Sequence, residues 1–155
     1  SEMKETKDRV DDALNATKAA IEEGIVAGGG AALLYAREGI ETADGIGSQI
    51  VYQACGKPFS QILQNAGYEQ VKAEMLAMNV ITSNNVWDGY NLKTEEMVDM
   101  KEAGIIDPSK VTRTALENAA SVAGTILLTE CTVVDEPQEN NNNQPDPMSM
   151  MGGMM

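Results

Sequence analysis

The run from Lys7 to Gly30, KDRVDDALNATKAAIEEGIVAGGG, constrains this chain more than any other stretch: its spacing demands a long helix and its end forbids one. Val10, Leu14, Thr17, Ile21 and Ile25 recur in steps of three and four, which predicts one stripe of an amphipathic helix. Lys7, Asp11, Lys18 and Glu22 project elsewhere, and Glu5 with Arg9, like Lys18 with Glu22, pairs opposite charges one turn apart. Gly24 interrupts the last turns, and Gly28, Gly29 and Gly30 leave bare backbone. Those glycines read either as a helix stop followed by a turn, or as amides laid against a phosphate or sugar, since glycine lets backbone approach a ligand closely. Asp12 stacks one turn after Asp8, a like-charge spacing that weakens a helix slightly, and by itself reads as a solvated charge. Its face continues through Ala16, Ala19, Ala20 and Glu23, small enough for another segment to come close.

The rest of the chain narrows the function classes. At 155 residues, 43% hydrophobic and without an internal period, it can bury one core; with one Trp, one Phe and four Tyr, alanines must supply the close helix contacts. A net charge of −13 offers no basic patch to displace phosphate counterions, so nucleic acid and anionic membrane surfaces are not expected partners. No apolar run reaches the roughly 20 residues of a membrane span, and SEMKETKD has no signal-peptide pattern. Cys55 and Cys131 lack metal-ligand spacing and histidine is absent, which argues against zinc chemistry and a histidine-based triad; the two cysteines could pair, but reduced thiols are the expectation for a cytosolic protein. A calcium-binding loop would need alternating Asp and Asn around a glycine, and none is present.

In chain order, AALLYARE predicts a short helix, Glu38 to Gly47 a loop, SQIVYQACG a helix stopping at Gly56, and PFSQILQNAG a second helix begun by Pro58, with Phe59, Ile62, Leu63 and Ala66 inward. Glu69 to Asn79 predicts a helix with Val71, Met75 and Met78 as core filler. Asp88 and Gly89, flanked by Val86, Trp87 and Tyr90, predict the turn of a small hairpin, with Trp87 as a packed aromatic. TEEMVDMKEAG reads as a helix capped by Thr94. Asp107 and Pro108 predict an N-cap and first helical residue, followed by a stripe of Val111, Ala115, Ala119, Val122 and Ile126. Thr129 to Asp135 alternates and is rich in β-branched residues, so it predicts a strand that needs a partner. The polar, acidic EPQENNNNQPDP and the Met-rich end are expected to be disordered.

The first stretch resembles group I chaperonins through Arg9, Val10, Asp12, Ala13, Leu14, Ala16, Thr17, Ala19, Ala20, Glu22 to Gly24, Val26, Ala27 and Gly28 to Gly30. A second block, GIIDPSKVTRTALENAASVAGTILLTECTVVD from Gly104 to Asp135, resembles the end of that family's equatorial domain just as closely. Pro58, Gln61, Ile62, Asn65, Ala66 and Gly67 add to the likeness, and MSMMGGMM resembles the family's Gly/Met tail. The resemblance implies a mainly α fold: an equatorial-domain-like helical bundle with a long N-terminal helix, a small β-hairpin and a C-terminal strand. It implies the end of the intermediate domain over residues 1–23, the second half of the equatorial domain over 24–135, and a disordered tail over 136–155. The chain is thus expected to be a cytoplasmic fragment of a larger subunit, inactive alone.

By the same resemblance the parent hydrolyses ATP with Mg²⁺ and folds unfolded client proteins in a homo-oligomeric double ring with a co-chaperonin. Asp12 would orient the water that attacks the terminal phosphoryl group, with Gly24 as the hinge that moves it. Gly28, Gly29, Asn91, Leu92, Lys93 and Asp107 would hold the nucleotide, Asp107 at the ribose and the GYN segment at the adenine; Leu92 and Lys93 stand where alanines are usual. The matching C-terminal strand would join the chain's own N-terminal segment and a loop of the adjacent subunit. The competing class is an acidic helical scaffold or adaptor in which the glycine run is only a turn.

Overall fold

A computed structural model describes residues 2–135. The elements run α1 (Glu2–Glu23), β1 (Ile25–Ala27), α2 (Ala31–Ala36), α3 (Ile46–Asn65), α4 (Gln70–Thr82), β2 (Asp88–Asn91), β3 (Glu96–Asp99), β4 (Ile106–Pro108) and α5 (Ser109–Leu127). The described chain is mainly α, with two antiparallel strand pairs: β1 with β4, Val26 opposite Asp107, and β2 with β3, Tyr90 opposite Met97. One core sits where α2, α3 and α4 meet, built on Leu34, Phe59, Leu63, Ala73, Ala77, Val80 and Met100.

The long helix forms, but it ends two residues before Ile25 and shows a different face inward. Gly24 takes φ +82, its amide closes on the Ala20 carbonyl at 2.8 Å, and Ile25 becomes the first residue of a strand. Val10, Leu14 and Ile21 remain 61%, 53% and 81% exposed, so the predicted stripe is not buried among the described residues. The alanine face does the packing: Ala16, Ala19 and Ala20 are half-buried against β4 and α5. Ion pairs select that face. Glu22 pairs with Lys110 rather than Lys18, and the Glu23 carboxylate accepts two bonds from Arg113, at 3.0 and 2.7 Å. Glu5 pairs with Arg9 within the helix, as its spacing predicts.

Gly56 and Pro58 do not divide α3. Proline in a helix interior costs about 3 kcal/mol, yet Cys55, Phe59 and Leu63 lie on one buried face that a break would disperse. Each large apolar side chain so buried stabilises by about 1.5–3 kcal/mol, and the continuous helix wins. The same logic reverses the face assigned to α4: Ala73, Ala77 and Val80 are buried, whereas Val71, Met75 and Met78 are more than half exposed. Alanines let α4 lie close to α2 and α3, and methionines there would hold them apart.

The hairpin exists with another register. Asp88 and Gly89 lie inside β2, the turn is made by residues 92–95, and Glu96–Asp99 is a strand rather than the helix Thr94 was expected to cap. Gly89 is buried against Met100, whose Sδ would come 2.7 Å from a Cβ there, so Gly89 serves close packing, not a turn. Asp107 does not cap α5. It is held in β4 by Val26, Pro108 occupies the cap position without a side-chain bond, and the helix starts at Ser109. Val111, Val122 and Ile126 stay more than half exposed. The expected strand from Thr129 to Asp135 is absent: residues 131–135 are exposed and unpaired, and a strand without a partner leaves its backbone groups unsatisfied. The tail over 136–155 lies outside the described residues.

Candidate functional site

A cleft of about 250 Å³ opens where the glycine turn, α3 and the β2–β3 hairpin converge. Gly29 forms one wall, Phe59, Ile62 and Leu63 of α3 the next, Tyr90, Asn91, Leu92 and Lys93 the third, and Met100 with Ile105 the floor. Complete small-molecule sites span roughly 300–1,000 Å³, so this mostly apolar cleft has room for one ring system rather than a whole nucleotide. Its polar groups are few and specific. The Asn91 Oδ1 accepts the Lys93 amide at 2.9 Å, which shapes the turn and leaves the Asn91 Nδ2 without a partner among the described residues. The Gly29 amide is likewise uncommitted, at φ +64 where most side chains are disfavoured.

Of the residues singled out from the sequence, this cleft gathers Gly29, Asn91, Leu92 and Lys93. Gly28 lies beneath it: its amide donates to the Ile105 carbonyl at 2.9 Å, and a Cβ there would come 3.0 Å from that oxygen. Asp107 faces a neighbouring cavity of about 170 Å³, shared with Ala16, Thr17 and Ala20 of α1. Burial pushes its carboxyl above the usual aspartate value. Asp12 is exposed one turn above Ala16 on the same face of α1, so the line Asp12, Ala16, Ala20 runs down into Asp107's cavity. Gly24 stands at the foot of α1, where its carbonyl accepts the Ser109 amide at 3.0 Å and no atom lies within 4 Å of a Cβ position.

Sequence reasoning placed Tyr90 near the base through the GYN segment but did not assign Phe59, Ile62, Leu63, Met100 or Ile105 to the cleft. Phe59 and Ile62 carried a helical stripe that could have led there; Met100 carried no signal, because its segment read as helix. No group of three or more His, Cys, Asp or Glu among the described residues could hold a metal ion. The described carboxylates therefore do not form a Mg²⁺ site by themselves.

The TCP-1/cpn60 chaperonin family matches residues 1–137, which include every described residue. The chain belongs to the TCP-1/cpn60 chaperonin family. The crystal structure of a group III chaperonin in the open state superposes on this chaperonin chain with a TM-score of 0.66 and 28% identity. That match covers 74% of the present chain and 25% of the other, so this chain spans about a quarter of that chaperonin's length. The cleft, the glycine turn and the α1–α5 contact all lie within the residues the family matches. No helix among the described residues is long and apolar enough to cross a membrane.

Proposed function

We propose that this chain supplies part of the nucleotide site and ring contacts of a group I chaperonin, which hydrolyses ATP to fold client proteins in a cytoplasmic homo-oligomeric double ring with a co-chaperonin. Residues 1–23 end the intermediate domain, 24–135 form the C-terminal half of the equatorial domain, and 136–155 are its tail. The observation that carries the reading is the convergence on one cleft of Gly29, Asn91, Leu92 and Lys93, from segments more than sixty positions apart. The base occupies the apolar cleft beside Asn91, the free Gly29 amide donates to the phosphate chain, and Asp107 takes the ribose. Mg²⁺ would accompany the phosphates, held mostly by residues of the parent chaperonin's N-terminal half.

Asp12 orients water for attack on the γ-phosphorus and accepts its proton, while the bond from that phosphorus to the β,γ-bridging oxygen breaks and ADP leaves. Phosphoryl transfer needs positioning and charge control above all, which suits a carboxylate carried on a movable rod. Twelve positions separate Asp12 from Gly24; at ~1.5 Å each, the carboxylate stands ~18 Å from the hinge, and a rotation of some tens of degrees moves it several Å. Such a rotation parts the pairs of Glu22 with Lys110 and Glu23 with Arg113.

The test is Asp12→Ala in the full-length chaperonin. ATP hydrolysis should fall by about 10²–10⁴-fold, the range for a positioned acid or base, with ATP affinity retained. Equal loss of both would assign Asp12 to structure. A scaffold or adaptor is favoured by one observation, the exposed apolar face of α5 at Val111, Val122 and Ile126. Absence of saturable ATP binding by the full-length protein would establish that second reading.

A further inference from the structure

Tyr68 has no place in the roles above. It lies in the short connection between α3 and α4, and its hydroxyl meets that of Tyr90 at 3.2 Å. The two rings stand edge to face, 6.0 Å between centres and 80° between planes. Tyr90 precedes Asn91 on β2, and both line the cleft. Tyr68 also faces Glu95 across an open hollow that includes Lys72, whose ammonium lies over the Tyr68 ring 4.3 Å from its centre. Glu95 closes the far end of the hairpin turn, at φ +59, and its amide donates to the Asn91 carbonyl at 2.8 Å. A non-glycine residue persists in that conformation only where its surroundings over-determine it.

One side chain from outside the hairpin therefore touches the residue before Asn91 and faces the residue that ends the turn. Between those two points lie Asn91 at the end of β2 and the turn residues Leu92, Lys93 and Thr94, the first three of these four forming the cleft wall beside Tyr90. The hydrogen bond with Tyr90 pushes the Tyr68 hydroxyl up to about 12, so that hydroxyl keeps its proton across physiological pH.

We propose that Tyr68 is a positioning residue for base recognition: by gripping Tyr90 and bracing Glu95 it fixes Asn91 and the 92–95 turn so that Asn91 and Leu92 meet a purine ring in the cleft. This rests on the nucleotide reading of the cleft given above. Tyr68 touches neither the phosphates nor Asp12 in this arrangement, so its effect belongs to binding and not to the chemical step.

The experiment measures steady-state ATP hydrolysis by the full-length chaperonin carrying Tyr68→Phe, Tyr90→Phe and both together. Each single change keeps a ring and drops the same hydroxyl contact, from one side or the other. The expected result is a KM raised about two- to tenfold, the weight of one neutral hydrogen bond, with kcat unchanged and the double variant no worse than either single. That non-additivity is the signature of one shared contact. An unchanged KM in Tyr68→Phe, equal falls in kcat and kcat/KM, or strictly additive effects would overturn the proposal while leaving the nucleotide reading intact. Absence of saturable ATP turnover or binding in the unaltered protein would overturn both.

Discussion

Gly30→Ala tests the seat on which the cleft is built. Gly30 sits at φ +79 at the start of α2, and a Cβ there would lie 2.6 Å from the Phe59 nitrogen, 2.9 Å from its Cα and 3.1 Å from the Pro58 carbonyl carbon. All three are backbone atoms of α3, so no side-chain rotation relieves the clash. Two penalties add. An L-residue in the left-handed region costs about 1–2 kcal/mol, and forcing an extra methyl into a packed contact costs about 1–3 kcal/mol. The expected loss is about 2–5 kcal/mol. Gly104→Ala is the control: Gly104 has φ +71 but nothing within 4 Å of a Cβ, so it carries only the first penalty, about 1–2 kcal/mol. Denaturant unfolding followed by Trp87, the one tryptophan of the sequence, reads both as midpoint shifts at constant slope. If Gly30→Ala destabilises no more than Gly104→Ala, α2 is not seated on α3 backbone to backbone.

Two further outcomes follow from the electrostatics and burial, beside those expected for Asp12 and Tyr68. The hydrogen bond from Arg113 holds the Glu23 carboxyl below its ordinary value of 4.5. A depressed folded value contributes stability that is present above the unfolded value and lost as pH falls through the folded one, so the α1–α5 contact should loosen below about pH 4.5. Spin labels on α1 and α5 should report a longer distance there, and Glu23→Gln should abolish that acid transition; a distance independent of pH would refute the assignment. Cys131 is exposed and Cys55 buried, with desolvation raising the Cys55 thiol. A thiol reagent at pH 8 should therefore label Cys131 first and Cys55 only on unfolding, as peptide mass mapping would show; comparable labelling of both would contradict the packing around α3.

What could be read from the chain was local or carried by long ordered motifs. The helical period before Gly24 and the small residues at Ala16, Ala19 and Ala20 predicted a long helix with one approachable face, and that face meets α5. The GYN segment, the glycine run and Asp107 were expected around one nucleotide; Gly29 and Asn91 line one cleft, whereas Asp107 faces a neighbouring cavity. Misreadings arose where two local solutions were nearly equal. Pro58 can start a helix or sit inside one, and burial of Phe59 and Leu63 chose the second. A hairpin can turn at Asp88 and Gly89 or at residues 92–95, and the fit of Gly89 against Met100 chose the later turn.

The sequence by itself determined the helical class, the break at Gly24 and the family, because periodicity, backbone freedom at glycine and long motifs are properties of contiguous residues. Only the tertiary structure decided which face each helix buries, where the hairpin turns, and that Asp107 enters a strand opposite Val26 instead of capping α5. Those choices depend on partners distant in the chain: the Arg113 guanidinium that draws in the alanine face of α1, the Met100 side chain that needs a bare Gly89, and the β1 strand that claims Asp107. The segment from Thr129 to Asp135 shows the converse, since strand propensity without a neighbour to complete the hydrogen bonds leaves it unpaired.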